Sequence, residues 1–329
     1  MQKRPYRRNG QWLELLPADL AEAPAKDTDS NQHTEQLTIP EAGSHPHLVR
    51  QWLLARSLFP AKWINRLFSV GGIKWEGELI RLLAFPPVDP AVDPLYRKVI
   101  NNRHSVQEPK VLYEDDFCLV LNKPAGMPVH ESYAGQTGTL DEAAARLQLG
   151  KDDPLPVRHI HRLDDDTSGP VLYAKNDLAQ WVLDEAMREK RIDRRYLAVV
   201  SGRVKKPAGT VNAPIGKDRH HSTRRRVTPS GDAAVTHYET VRTFPNASLV
   251  RLQLETGRTH QIRVHMSHIG HPLVGDKLYG GDSRLLPHQA LHGERLLFPH
   301  PWSGEMVEAA SPQPDWLAAL LDKLNERTN

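Results

Sequence analysis

The segment "LVRLQLETG" at 249–257 constrains the fold more than any other stretch of the chain. Val250, Leu252 and Leu254 alternate with Arg251, Gln253 and Glu255, a period of two that sends apolar side chains to one face of a strand and polar ones to the other. Around it, strand-like runs ("CLVL", "PVLYA", "RRYLAVVSG") are interleaved irregularly with helical ones. "TLDEAAARLQLG" opens on a capping box, Thr139 with Glu142, and stops at a Gly. "NDLAQWVLDEAMREKR" reads as an amphipathic helix capped by Asn176 or Asp177, and "PDWLAALLDKLNERTN" as a closing helix. "VLYEDDFCLVLNKPAG" reads as a hairpin. No GxGxxG or Walker loop is present, so the pattern favours an α+β domain over a doubly wound nucleotide-binding sheet.

A chain of 329 residues holds one large domain and a smaller one. Residues 1–46 read as a polar amino-terminal extension, partly flexible, with a loop or linker over 17–46. In 47–90, Leu48, Trp52, Leu53 and Leu58, then Trp63, Ile64, Leu67 and Phe68, recur at helical spacing before a Gly-Gly turn. Such a unit is too small to stand alone, so it is expected to pack on a neighbour or to be ordered by a ligand. The Pro-rich 91–109 reads as a linker, and 110–329 as the main domain. Cys118 is the only cysteine, which excludes an intrachain disulfide and a Cys-based zinc site. No signal-peptide stretch or membrane-length apolar run is visible, so the default setting is cytoplasmic and the default state a monomer.

The formal net charge of +3 barely favours nucleic acid, but its distribution says more. "KDRHHSTRRR" at 217–226 sets Lys217, Arg219, Arg224, Arg225 and Arg226 against Asp218 alone, which suits phosphate contact or, as readily, a solvated loop.

Two constellations carry the chemistry. "HRLDDDTSG" at 161–169 opens like a calcium loop, but Lys175 stands where the bidentate Glu must be. A D-x-D-x-[TV] phosphatase fails on Ser168 and on the polar "HIHRL" before it. A plain turn accounts for two of the acids, while Arg162 and Asp164, two apart, would share a face of an extended strand. In "ETGRTHQIRVHMSHIGH", Arg258, His260, Gln261, Arg263, His265, His268 and His271 invite a metal, yet there is no HExxH and no nearby Cys. Donors of this kind suit an anionic polymer and polar base edges.

"HRLDDDTSGPVLYAKN" resembles the H-R-L-D-x-x-T-S-G signature of the RluA/RluC/RluD-type RNA pseudouridine synthases. "LETGRTHQIRVHMSHIGHPLVGDKLYG", "LNKPAGMPVH", "RRYLAVVSG" and "GTVNAPIGKD…RRRVTPSGDAAVTHYE" are similar to further motifs of that family, in the same order. The 47–90 unit looks like a degenerate copy of its small alpha-L RNA-binding domain. The resemblance implies a pseudouridine synthase catalytic domain with a mixed, largely antiparallel sheet, preceded by that small helical domain. It implies isomerisation of a flipped-out uridine in structured ribosomal or transfer RNA, with no redox or nucleotide cofactor and no metal. Asp164 would be the essential carboxylate, Arg263 its charge partner and Tyr196 the aromatic platform. Arg162 would fill the vacated stack, and His161, Lys123, Arg224, Arg225, Arg226, Arg258, His260 and Gln261 would contact RNA. Residue by residue, His161, His260 and His265 also read as hydrogen-bonded scaffolding, Lys123 as an orienter of loops, Asp165 as solvated, Asp166 as a brace of the Thr-Ser-Gly turn, and Asp276 as a turn cap. A non-catalytic RNA-binding or ribosome-assembly factor retaining the fold is the alternative; a metal-dependent nuclease or glycosidase is a third.

Overall fold

A computed structural model describes residues 5–21, 39–102 and 107–326. Most of the expected loop over 17–46 lies in 22–38, outside the described residues. The segment before it is more than an extension. β1 (Arg7–Asn9) and β2 (Trp12–Leu15) form an antiparallel hairpin turning at Gly10, φ 55°, and α1 (Pro17–Ala21) follows. Asn9-Gly10 supplies the positive φ that a tight hairpin demands.

The helices expected in 47–90 are α2 (Pro46–Ala55) and α3 (Ala61–Ser69), succeeded by the hairpin β3 (Ile73–Glu76) and β4 (Leu79–Leu83). β2 pairs with β4, so both hairpins make one sheet in the order β1-β2-β4-β3. The small unit is therefore helices on a sheet rather than helices alone. Val49, Trp52, Leu53, Trp63, Ile64 and Leu67 bury its helical faces. Leu48 does not join them: it is 50% exposed, and Val49 takes its place one step on. The same apolar cluster continues into the main domain through Phe117, Leu172 and Trp302, so the unit packs on its neighbour. Arg8 bonds Asp116 and Asp153, and Arg66 bonds Asp177, across that contact.

The expected linker 91–109 is not all coil: it holds α4 (Pro94–Asn101). Asp93 caps it by accepting from the N–H groups of Leu95 and Tyr96, and Pro94 falls in the first turn, where no N–H donor is needed. Tyr96 is buried and donates its hydroxyl to Leu155 O at 2.6 Å.

The main domain has two sheets. β5 (Lys110–Glu114), β6 (Cys118–Lys123), β7 (Arg158–His159) and β8 (Gly169–Ala174) are ordered β5-β6-β8-β7, with α5 (Leu140–Leu149) inserted between β6 and β7. Thr139 caps α5 as expected, while Glu142 reaches back to Gly138 N–H rather than to its cap residue. α6 (Asp177–Arg188), capped by Asn176, leads to the larger sheet. Its strands are β9 (Asp193–Ser201), β10 (Ala208–Asn212), β13 (Val235–Thr243), β14 (Ala247–Leu254), β15 (Leu291–Pro299) and β16 (Met306–Ala310), ordered β10-β13-β14-β9-β15-β16. The ribbon β11 (Ile215–Lys217) and β12 (Arg225–Val227) projects from it, α7 (Gln261–His268) follows β14, and α8 (Asp315–Glu326) closes the chain's described part. Val250 and Leu252 on β14 are buried and Gln253 is exposed, as the alternation requires.

All named strand pairs are antiparallel, and one parallel bridge, Ser168 with His292, joins β8 to β15 at the seam of the two sheets. The α+β architecture is the expected one. Among the described residues no helix is long and apolar enough to cross a membrane.

Candidate active site

At that seam the backbone of Gly169, φ 130°, touches Gly293 so closely that a Cβ would stand 2.6 Å from the Gly293 Cα. Gly169→Ala is expected to force the sheets apart, destabilising the fold by about 1–3 kcal/mol and lowering turnover although no polar group is lost. A melting temperature equal to wild type would show that the seam tolerates spreading.

The acid triplet lies immediately before this seam, in the loop between β7 and β8. Arg162 and Asp164 do not share a strand face, because neither is in a strand. The loop is shaped by backbone capture instead. Gly126 N–H and the Lys123 ammonium donate to Asp165 O, and Thr167 N–H donates to Asp164 O. Lys123 is wholly buried, with Nζ also donating to Pro124 O and Met127 O, so it has no donor left for RNA and acts as an orienter of loops. Burial pulls this ammonium down to about 8, against the opposing pull of Asp165, Asp164 and Asp166. The Asp165 side chain is exposed, as expected. Asp166 makes no side-chain hydrogen bond or ion pair among the described residues, and Gln289 reaches the Thr167 hydroxyl at 3.4 Å instead.

Asp164 Oδ2 accepts from Arg263 at 3.0 Å, across 99 residues of chain. Arg263, on the first turn of α7, is held by a second carboxylate: Nε and Nη2 fork onto both oxygens of Asp276 at 2.6 and 2.9 Å. Asp276 is therefore not a turn cap; it is 1% exposed and fixes the guanidinium that faces Asp164. Burial opposes the Arg263 charge, but the bonds to Asp276 and Asp164 outweigh it and raise its pKa further. The guanidinium also lies over the Tyr279 ring, 5.0 Å from its centroid.

His260 begins α7 in the left-handed region, φ 57°, a strained place for a residue with a side chain. Its ring makes no cap bond and turns to Tyr279 Oη, 2.9 Å from Nδ1. Tyr279 Oη also accepts from Arg225 N–H at 2.9 Å. Burial favours neutral His260, although Asp164 opposes this, and its Nε2 faces Asp164 Oδ2 at 4.0 Å. Through Arg225 the basic ribbon thus reaches the site by its backbone. Arg224 itself pairs with Asp218 at 3.4 Å, and Arg226 is exposed.

Tyr196, on β9, is 6% exposed and joins Asp164 and Arg263 around a small recess; burial raises its hydroxyl pKa. That recess opens on a cavity of about 830 Å³ lined by Arg162, Asp164, Arg188, Arg194, Arg258 and Arg263 among others, a volume suited to a nucleotide. Arg162 is exposed there and donates to His130 Nε2 at 3.1 Å. Arg258 bonds Ala233 O with Nε. Gln261 is buried, spending its amide on Val235 O and Thr236 and its oxygen on Thr256 and Arg258 N–H, so it is scaffold rather than an RNA contact. His265 likewise bonds Thr236 and Ala213 O.

His161 belongs with these scaffolding groups: its Nε2 accepts from Leu172 N–H at 3.3 Å, and burial, with Arg194 and His159 near, pulls it from 6.5 down to about 3. Between those values the unfolded chain binds the proton and the folded one does not, so stability is full above about 6.5 and falls as pH drops toward 3. His161→Gln keeps an acceptor in place of Nε2 and is expected to flatten that acid dependence. Unfolding midpoints in urea that drop equally for both proteins from pH 7.5 to pH 5 would place the dependence elsewhere.

Among the described residues one set of potential metal ligands converges, Asp115, Cys118 and His300, and the four histidines of 260–271 do not. Asp115 is already committed, to His300 Nε2 at 2.5 Å, Tyr113 Oη and the N–H groups of Phe117 and Cys118.

A family model described as RNA pseudouridylate synthase matches residues 117–268. The chain is 36% identical over 327 residues to ribosomal large subunit pseudouridine synthase D of Nitrosomonas europaea, covering 91% of this chain and 90% of that one. It is 48% identical over 206 residues to the uncharacterized RNA pseudouridine synthase YhcT of Bacillus subtilis, covering 62% and 68%. The structure of human RNA pseudouridylate synthase domain containing 1 matches with TM-score 0.56 and 27% identity, over 69% of this chain and 97% of that one. Fold and likeness together define an RNA-modifying isomerase. The chain belongs to the RNA pseudouridylate synthase family, and its reaction is the conversion of uridine in RNA to pseudouridine.

Proposed function

We propose that the chain modifies large-subunit ribosomal RNA, with Asp164 as the carboxylate that acts on a flipped-out uridine. The observation that carries the catalytic part is the Asp164–Arg263–Asp276 array, a carboxylate held at a cavity wall by a guanidinium that is itself fixed from behind. The ribosomal part is supported by the name of the Nitrosomonas europaea relative, which aligns over most of both chains.

In this reading the uridine leaves its stack at a cost of about a few kcal/mol, Arg162 swings from His130 to fill the gap, and Tyr196 supports the base. Asp164, held by Arg263, attacks the anomeric carbon or the uracil ring, or assists loss of a sugar proton. The walls retain the detached base until it rejoins through carbon, so the RNA is isomerised and not cleaved. Arg258 and the Arg224–Arg226 ribbon contact phosphate. The enzyme works in the cytoplasm as a monomer, without metal or nucleotide cofactor.

Ribosomal and transfer RNA from cells lacking the gene, incubated with the purified protein in EDTA, test this reading by carbodiimide-dependent primer-extension stops. New stops confined to the large-subunit RNA, in intact strands, are the expected result. Stops only in transfer RNA would overturn the substrate, and chelator-sensitive strand scission would overturn the chemistry.

A further inference from the structure

Arg194 is the cation in this site for which the array above has no use. It lies on β9 two residues before Tyr196, so both side chains leave the same face of the strand. Its neighbour Arg195 points the other way and is paired with Asp193 at 2.9 Å. Arg194 lines both the large cavity and the recess that holds Asp164, Arg263 and Tyr196. Among the described residues its guanidinium has no hydrogen-bond acceptor and no carboxylate in ion-pair range, and its Nε is buried without a partner. Space is cleared for it: a Cβ on Gly257 would stand 2.6 Å from Arg194 Nη1. A partly buried, unpaired guanidinium with five donors is costly unless an anion completes it.

We propose that Arg194 is the clamp for a phosphate flanking the target uridine, binding a phosphodiester oxygen while Tyr196, on the same strand face, supports the base. This rests on the RNA reading above and adds a residue to it. Residues i and i+2 of a strand stand about 6.6 Å apart along the chain, a spacing suited to holding a base and its own backbone at once. Planar, bidentate phosphate recognition is the task for which Arg is fitted and Lys is not. A fixed phosphate beside the flipped base would also hold the sugar while its bond to uracil is open.

The test is a cycle between protein and backbone. An oligoribonucleotide spanning the mapped uridine is prepared with native linkages and with a neutral methylphosphonate on either side of that uridine. Affinity and single-turnover rate are measured for wild type, Arg194→Ala and Arg194→Lys. The expected result is that one neutral linkage weakens wild-type binding about 10-fold, and that Arg194→Ala is about 10-fold weaker on native RNA with no further loss on that linkage. Its plot of log affinity against log salt should be shallower by about 0.7, the share of one single-strand phosphate. Arg194→Lys should restore the slope but only part of the rate. If Arg194→Ala remains as sensitive to both neutral linkages as wild type, the proposal is wrong, and a rate loss with unchanged affinity and salt slope would assign Arg194 to the base. Binding is measured separately from turnover, so if Asp164→Asn still forms pseudouridine the catalytic reading fails while the affinity cycle still decides the clamp.

Discussion

Asp164→Asn is expected to reduce pseudouridine formation by about 10^4-fold or more while the fold and RNA affinity survive. Asn keeps the shape of the side chain and removes its charge. Arg263 retains the bidentate bond to Asp276, so no buried cation is orphaned and the melting temperature should hold within a few degrees. Affinity for the RNA should stay within about 3-fold of wild type, because a lost negative charge in a cavity walled by arginines does not weaken its hold on phosphate. Single-turnover assays with saturating enzyme separate the two effects. A variant that still completes turnover at a tenth of the wild-type rate would move the chemistry to another group.

Asp276→Asn, unlike Asp164→Asn, should cost stability. It takes the full ion-pair partner from a guanidinium whose side chain is only 9% exposed, leaving the charge shared with the more open Asp164. Breaking such a buried pair costs about 3–5 kcal/mol. The urea midpoint should fall, and turnover with it, since Arg263 loses the fork that sets its direction. The double variant Arg263→Met with Asp276→Leu removes both charges and should be more stable than Asp276→Asn alone. If the double variant is the weaker of the two, packing and not an orphaned charge sets the cost.

What the chain disclosed in advance followed from how local each cause was. The β14 alternation, the Thr139 and Asn176 caps and the pairing of β5 with β6 depend on near neighbours, and they stand where they were expected. Asn9-Gly10 and Asp93-Pro94 are equally local signals of a hairpin and a helix start, but both are embedded in Pro-rich or polar stretches whose composition reads as linker. The spacing of Arg162 and Asp164 permits a strand but does not impose one. The deciding force is Lys123, which takes the Asp165 carbonyl out of any ladder from 42 residues away. Asp276 could not be distinguished from a turn residue, since its partner becomes visible only when the loop after α7 folds back onto Arg263. Arg194 opens the "RRYLAVVSG" stretch, but nothing in that stretch sets it apart from Arg195; its meaning comes from the acceptors it lacks.

The sealed position of Lys123 makes the enzyme its own reporter. An amine-acylating reagent reaches surface lysines directly, but the Lys123 amine, 0% exposed and held by three carbonyls, can react only in molecules whose catalytic loop has lifted. Its rate of acylation, followed by mass spectrometry of the peptide that carries it, is therefore a clock for loop opening. A substrate oligonucleotide that closes over Asp164 should slow that clock, and Gly169→Ala should quicken it.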